Sequence, residues 1–391
     1  MPLERAYRKV GPHALQVRVD RISSMPSHHM QDSAHKSDSA FDPATFERDG
    51  EVSTLDTLFA HAGLVRSLRG KSGAINRSRV DRLERSAPEE LLRPAPEPRT
   101  ATNGVRFLAV PAMEKIPWLW HGFSTRQGGV SRVYCPEDAP GELNLGFTAV
   151  DSREAVEHNR TLFAEAISGS SATPLITLRQ IHSNLVRAVS ALDAERERPW
   201  KADGIITGER GVLIGIQTAD CIPVLVADRK RRVVGAFHAG WRGTVKRIVE
   251  TGVGRMRIEY GSRPQDLVAA IGPGAGPCCY SVGEEVLSEF DSQFVYGREL
   301  FHEVYSSDAV HNKYPMLFLT QRAPGHSPIG PSLHLDLIEA NRRQLLDAGL
   351  SARSIHITGG CTHCQTELFF SHRASRGYAG RMIAAIGIKA R

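Results

Sequence analysis

The most informative part of the sequence is Thr218-Ala-Asp-Cys-Ile-Pro-Val-Leu-Val-Ala-Asp-Arg-Lys-Arg-Arg-Val-Val-Gly-Ala-Phe-His-Ala-Gly-Trp-Arg-Gly243. It contains two short apolar runs, 222–227 and 233–237, separated by a charged tract. Apolar runs joined in this way are typical of a β-hairpin. A two-residue turn centred on Arg229 and Lys230 places Cys221 directly opposite His238. A loop of three or five residues would shift the register and remove this pairing.

Cys221 and His238 carry donor atoms that suit a zinc ion. Directly opposed residues of an antiparallel pair have Cβ atoms about 4.5–5.5 Å apart, which lets a thiolate and an imidazole share one zinc. His182, at the end of another predicted strand, offers a third ligand. Three protein ligands with a fourth position free are the pattern of a catalytic zinc. A buried Cys beside a hydrogen-bonded His, and a Cys–His nucleophile dyad, are the alternatives for this pair.

The bulk composition excludes several classes of protein. The chain has 391 residues, of which 41% are hydrophobic and 24% charged, as in ordinary globular proteins. The net charge of +6 is compatible with an anionic substrate, but no basic stripe interleaved with aromatics indicates nucleic-acid binding. No apolar run has membrane-spanning length or signal-peptide character. Six cysteines are too sparse for a disulfide framework, which predicts a reducing, cytoplasmic location.

A change in composition near residue 104 divides the chain. We predict that 1–104 is a disordered N-terminal extension ending in the Pro-rich linker 93–99, and that 105–391 is one catalytic domain. The predicted strands are 105–110, 175–178, 211–216 and 267–271, and the predicted helices are 153–167, 244–260 and 336–348. Asp336 is the expected N-cap and Gly349 the C-cap signal of the last helix. These elements predict an α/β (α+β sandwich) fold in which mixed β-sheets are flanked by helices.

Several motifs occur in a recognisable order. Those around the predicted ligands are Arg179-Gln-Ile-His182, Thr218-Ala-Asp-Cys221 and His238-Ala-Gly-Trp-Arg-Gly243. The others are His121-Gly-Phe-Ser-Thr-Arg-Gln-Gly-Gly-Val-Ser131, Leu143-Asn-Leu-Gly146, Ala202-Asp-Gly-Ile-Ile-Thr207, Ile271-Gly-Pro273, Tyr280-Ser-Val-Gly-Glu-Glu285, Cys361-Thr-His-Cys364 and Glu367-Leu-Phe-Phe-Ser371. This set resembles the laccase-domain family, also described as multicopper polyphenol oxidase-like proteins and as multifunctional purine nucleoside phosphorylases. The resemblance covers roughly 105–391 and none of the extension.

The resemblance implies a metal site, a fold and a set of reactions. His182, Cys221 and His238 match the family's metal ligands, with zinc as the expected ion and copper as the alternative. The implied fold is related to cysteine-dependent deamidase toxins. The implied reactions are phosphorolysis of adenosine, inosine and S-methyl-5′-thioadenosine, with phosphate as the second small-molecule partner, and deamination of adenosine.

Other functions stay open beside this one. They are a copper-dependent polyphenol oxidase, a cell-wall precursor editing factor, a Cys–His hydrolase and a binding protein with a structural metal. A multicopper oxidase needs a type 1 site and a trinuclear cluster. The sequence has no series of closely spaced His-x-His pairs to supply them, which disfavours that alternative.

The candidate catalytic residues are Cys221, His238 and Asp220. Asp220 is the candidate carboxylate for moving protons beside a zinc-bound water, although neighbouring residues of a strand point to opposite faces. Phosphorolysis also needs a phosphate cradle. One candidate is Arg242 with the predicted helix that begins near Thr244, and the other is the loop of Arg126, Gly128 and Gly129.

The remaining cysteines give a weaker signal. Cys361-Thr-His-Cys364 has the spacing of half a zinc knuckle, but no second Cys pair with that spacing exists. Cys278 and Cys279 are adjacent in sequence. We interpret these four cysteines as structural.

Overall fold

The computed structural model describes residues 91–196, 198–304 and 331–390, together with the backbone of Glu84–Ser86. These residues belong to the unit Ile75–Arg391. The predicted extension before residue 84 lies outside the described residues. No helix in the described part of the chain is long and apolar enough to cross a bilayer.

Two six-stranded mixed sheets and a smaller sheet form the β-structure. The strands are β1 Glu84–Ser86, β2 Arg99–Thr100, β3 Arg106–Leu108, β4 Leu119–Ser124, β5 Gln127–Ser131, β6 Leu175–Thr177, β7 Val186–Ala188, β8 Gly204–Thr207, β9 Leu213–Thr218, β10 Ile222–Asp228, β11 Val233–Ala239, β12 Leu267–Ile271, β13 Phe301–Val304, β14 Ser332–Leu335, β15 Ile355–Ile357 and β16 Met382–Ile388. One large sheet has the order β15-β12-β10-β11-β8-β7, and the other has the order β2-β3-β4-β16-β9-β6. The third sheet has the order β1-β13-β14. Parallel pairs occur next to antiparallel ones in all three sheets.

The two large sheets pack face to face with helices outside them. The helices in the described residues are α1 Pro111–Glu114, α2 Arg153–Ser168, α3 Trp241–Val245, α4 Ile248–Tyr260, α5 Glu284–Gln293 and α6 Leu337–Asp347. Leu225 of β10 shares an inner cluster with Ile214 of β9, whereas Val224 packs outward in one cluster with Val249 of α4. Strands buried on both faces have continuous apolar sequences, which is the pattern of 222–227. The predicted α/β sandwich with mixed sheets is confirmed.

The hairpin formed by β10 and β11 exists, but its predicted register is wrong. Pro223, not Cys221, lies opposite His238, and the loop has four residues, 229–232, instead of two. Asp228 lengthens the loop because its Oδ1 accepts hydrogen bonds from the backbone N–H groups of Lys230 and Arg231. Arg232 then closes the turn with a φ of 54°. The predicted pairing of β10 with β11 differs from the observed pairing by two positions. A register shift by an even number of positions keeps each side chain on the same face of the sheet.

Helices α2 and α6 begin and end close to their predicted bounds. The side chain of Asp336 accepts a hydrogen bond from the N–H of Glu339, as expected of an N-cap. Gly349 has a φ of 94°, and its N–H donates to the carbonyl of Leu346, as at a helix end that favours glycine.

The predicted helix 244–260 is wrong at its start. It is two helices, α3 and α4, separated where Arg247 adopts a φ of 61°. Thr244 lies inside α3 and is fully buried, so it is not an N-cap. Its hydroxyl accepts from Asn341 and its carbonyl accepts from Gln344, both on α6. The apolar periodicity alone revealed neither this packing nor the interruption.

The described part of the predicted linker runs along the domain. The carbonyl of Arg93 accepts from the N–H of Gly360, and the N–H of Ala95 donates to Gln365. Arg99 and Thr100 form β2, which pairs with β3. The backbone of this segment therefore gains partners on the catalytic domain.

Candidate metal centre

The three predicted ligands converge at one end of the two large sheets. Cys221 directly precedes β10, His238 lies in the neighbouring β11, and His182 lies in the loop that follows β6. The ligand atoms of the three residues are all within 4.8 Å of one another. The centroids of the two imidazole rings are 5.0 Å apart. The donor set of one thiolate and two imidazoles fits a zinc ion.

Gly240 makes this close approach possible. A Cβ atom at Gly240 would lie 2.9 Å from the sulfur of Cys221 and 3.2 Å from Cδ2 of His182. The first distance is shorter than van der Waals contact allows, so any larger residue would push two ligands apart. His182 itself has a φ of 56°, a conformation that costs free energy and is held only by its surroundings.

Asp203, directly before β8, supplies that support. Its carboxylate accepts from the backbone N–H groups of Ile181, His182 and Ser183 at 2.6–3.2 Å, and from the hydroxyl of Ser183 at 2.7 Å. The same carboxylate lies 2.9 Å from Nδ1 of His238. A carboxylate on Nδ1 fixes the ring and leaves Nε2 available for a metal. The sequence did not predict this role, although an Asp directly before the short run Gly204-Ile-Ile-Thr207, within a family motif, was a usable signal.

Electrostatics in this group favour the thiolate form of Cys221. Burial alone would raise the pKa of the Cys221 thiol, but the charge of His238 and hydrogen bonds from His182 and His238 lower it to about 6. Burial alone would lower the pKa of His238, but the Cys221 charge and the bond to Asp203 raise it to about 9. Without a metal, both shifts favour a thiolate–imidazolium pair near pH 7. The thiolate is the form that both a metal and a nucleophilic cysteine require.

Alkylation of metal-stripped protein should therefore show an unusually acidic Cys221. With a pKa near 6, about 90% of the thiol is ionised at pH 7, against about 3% for an ordinary pKa of 8.5. The lowered pKa preserves the anion until the pH falls through about 6. The rate of iodoacetamide labelling, measured on the Cys221 peptide by mass spectrometry, should have its midpoint there. The Cys135 peptide from the same digest reports general effects of pH, and a Cys221 midpoint near 8.5 would contradict the assignment.

The three candidate ligands line a cavity of about 520 Å³. Its other walls contain mostly polar, aromatic and cationic residues, with two aliphatic ones and one carboxylate: Leu178, Arg179, Gln180, Gln217, Ala219, Asp220, Trp241, Arg242, Tyr280, His372, Arg373 and Arg381. Ligand sites of small molecules have volumes of roughly 300–1,000 Å³. The four arginines give the cavity a cationic wall beside the metal ligands.

Asp220 also lines the cavity, where it is buried and hydrogen-bonded to residues of other loops. Its carboxylate accepts from the hydroxyls of Thr362 and Ser371 and from the backbone N–H of Arg373, each at 2.7 Å. Its carbonyl accepts from Ala275, and its φ is 89°. These bonds to fixed donors favour a positioning role over the proton-transfer role predicted from the sequence.

The second predicted phosphate loop lies elsewhere. Arg126 forms an ion pair with Glu142 and packs over the ring of Phe370. Gly128 has a φ of 88°, and a Cβ there would meet the carbonyl oxygen of Gly104 at 2.3 Å. Gly129 is packed as closely against Glu142. The structure thus brings Arg242 to the metal ligands, but not Arg126, Gly128 or Gly129.

Known proteins share both the sequence and the fold. The purine nucleoside phosphorylase YlmD of Bacillus subtilis is 34% identical over 274 residues, which span 68% of this chain and 88% of the relative. The purine nucleoside phosphorylase of Deinococcus radiodurans is 35% identical over 276 residues, with coverages of 69% and 90%. The crystal structure of YlmD from Geobacillus stearothermophilus is 30% identical with a TM-score of 0.59, over 75% of this chain and 100% of that one.

The matched region includes the whole candidate centre. A family model described as multi-copper polyphenol oxidoreductase laccase matches residues 120–389, which contain all three ligands and every residue that lines the cavity. The chain therefore belongs to the multi-copper polyphenol oxidoreductase laccase family.

Proposed function

We propose that this chain is a purine nucleoside phosphorylase that depends on a zinc ion bound by His182, Cys221 and His238. The observation that carries the proposal is the placement of these three ligands in the same cavity as four arginines. The relatives named above carry the name purine nucleoside phosphorylase. The proposed substrates are adenosine, inosine and S-methyl-5′-thioadenosine, each with phosphate.

The arginines differ in their freedom to bind an anion. Arg373 is fixed, because its guanidinium donates to Ser281 and lies 4.5 Å from the ring centroid of Tyr280. Arg381 donates to the carbonyls of Ala379 and Gly380. The guanidinium groups of Arg179 and Arg242 have no hydrogen-bond partner among the described residues, and that of Arg242 lies 4.4 Å from the ring centroid of Trp241. Guanidinium groups bind phosphate in a bidentate manner, so both arginines suit the phosphate. We propose Arg242, because it lies in the same motif as the candidate ligand His238.

In the proposed reaction a phosphate oxygen forms a bond to C1′ of the ribose while the bond from C1′ to the purine nitrogen breaks. The electron pair of the broken bond goes to the purine, which takes up a proton. Arg242 holds the phosphate, and Trp241 and Tyr280, which line the same cavity, offer apolar surface to the base. Bound at this site, zinc supplies Lewis acidity and lowers the pKa of a water ligand. Asp203 keeps His182 and His238 in place.

Adenosine deamination is a second candidate reaction of the same centre. It rests on the number of ligands, because three protein ligands leave one position of a tetrahedral zinc for water or substrate. The oxidase alternative has less support. The two metal-binding groups in the described residues contain only two histidines, too few for a type 1 site and a trinuclear copper cluster.

Product analysis tests the function directly. Purified protein incubated with adenosine and phosphate should yield adenine and ribose 1-phosphate, and omission of phosphate should abolish both products. Inosine formed with or without phosphate would report the deaminase. Chromatography of the mixture separates these compounds. In a separate incubation with a phenol, the oxidase alternative predicts uptake of oxygen. This uptake, together with no phosphate-dependent product from adenosine, would exclude the proposal in favour of the oxidase.

A further inference from the structure

Four cysteines outside the candidate metal centre converge although two pairs of them are far apart in sequence. We call Cys278, Cys279, Cys361 and Cys364 the four-cysteine cluster. The sulfur atoms all lie within 4.8 Å of one another. The sulfur of Cys364 is 3.2 Å from that of Cys279 and 3.6 Å from that of Cys278, across 85 and 86 positions of the chain.

These distances fit one shared metal ion better than a covalent bond. A disulfide joins its sulfurs at about 2.05 Å. Thiolates at the corners of a tetrahedron around zinc, each about 2.3 Å from the ion, are about 3.8 Å apart. A four-iron cluster would place iron and sulfide atoms between the thiolates and so needs more room. Four soft sulfur donors that surround one point are the donor set of a structural zinc.

The backbone holds the cysteines in this arrangement. The N–H of Thr362 donates to the carbonyl of Gly274, and the N–H of Cys279 donates to the carbonyl of Gly276, at 3.0 and 2.9 Å. The N–H of Gly276 points at the sulfur of Cys361 at 3.4 Å, a contact that stabilises a metal-bound thiolate. Cys278 and Cys361 are only 5% and 2% exposed, whereas Cys364 is exposed. The cluster thus has a buried base and a side open to solvent through which an ion can enter.

We propose that the four-cysteine cluster binds a second zinc ion, which joins the loop after β12 to the loop after β15. Four protein ligands complete a tetrahedral shell, so this site is structural. Both loops also hold Asp220: Thr362 donates to its side chain and Ala275 to its carbonyl. The second ion therefore stabilises the wall of the cavity. This inference does not depend on the proposed reaction.

Metal analysis of the full chain separates the two sites. Wild-type protein should contain two zinc ions per chain by mass spectrometry of the metals. The Cys279→Ser/Cys364→Ser variant changes the two less buried cysteines, and it should contain one. His182→Ala should also contain one, whereas Cys135→Ser, a free cysteine elsewhere, should keep two. The Tm of the double variant should fall by roughly 10 °C, since it loses the metal cross-link between two segments that are 85 positions apart in the chain.

Two further measurements do not depend on the folding of the Cys279→Ser/Cys364→Ser variant. Denatured, unreduced protein treated with a chelator should titrate as six free thiols. Protein reconstituted with Co²⁺ should show thiolate-to-cobalt absorption stronger than one cysteine ligand gives, and Cys221→Ala should retain most of it. A count of four thiols, a wild-type content of one zinc that His182→Ala loses, or iron in place of zinc would each overturn the proposal.

Discussion

Replacing any one of His182, Cys221 and His238 with alanine should remove zinc from the candidate centre and reduce phosphorolysis by at least about 100-fold. Loss of a supporting residue behind a ligand already costs 10- to 100-fold in metal affinity or activity, and a ligand itself contributes more. Two remaining protein ligands hold zinc poorly. Metal content and the rate of adenine release from adenosine are the two measurements, made on the same preparations.

The outcome for Cys221 distinguishes zinc from the dyad alternative. Full metal occupancy in Cys221→Ala, together with lost activity, would indicate a nucleophilic cysteine. Full occupancy with full activity would contradict both assignments. Cys135→Ser is the matched control, because the Cys135 thiol donates to the carbonyls of Ser131 and Arg132 and belongs to neither candidate metal-binding group of the described residues. It should leave both metal content and rate unchanged.

Arg242→Ala should separate phosphorolysis from deamination. A lost charge-assisted contact to an anion costs on the order of 1.5–3 kcal/mol, which corresponds to about 10- to 150-fold. Most of this loss should appear as a higher KM for phosphate, because Arg242 lines the cavity without serving as a ligand. Zinc content should be intact, and adenosine deamination should change by less than a few-fold.

Two further variants serve as a control and as a test of the other predicted phosphate loop. Arg255→Ala removes a surface arginine that pairs with Glu259 on α4, and it should leave the KM for phosphate unchanged. If Arg126→Ala raises this KM and Arg242→Ala does not, the phosphate binds at the other predicted loop. A parallel fall of both activities in Arg242→Ala would instead show that Arg242 organises the metal centre or the purine site.

The sequence predicted where β10 and β11 lie better than how the two strands pair. The apolar runs predicted β10 and β11, because strands that are buried on both faces consist mainly of apolar residues. Their pairing depended on the loop, and the Asp228 side chain lengthened it. Cys221 and His238 still converge, because the predicted strand register differs from the observed one by an even number of positions.

Tertiary contacts explain what the sequence did not predict. The break at Arg247 comes three residues after Thr244, whose partners on α6 lie 97 and 100 positions later in the chain. Asp203 acquires its role only when three separate segments meet around its carboxylate. The adjacent pair Cys278 and Cys279 does not have the usual spacing of a zinc motif, so only the fold reveals the convergence with Cys361 and Cys364.

Strand β16 has a consequence for synthesis of the chain on the ribosome. It is the last described strand, yet it lies between β4 and β9 in its sheet. Residue 382 is made about 160 residues after β9 ends, a delay of roughly 10–30 s at 5–20 residues per second. During that interval β4 and β9 expose unpaired edges of the kind that promote aggregation. A chain that stopped before residue 382 would keep all three ligands of the candidate metal centre but lack the strand that joins the halves of this sheet.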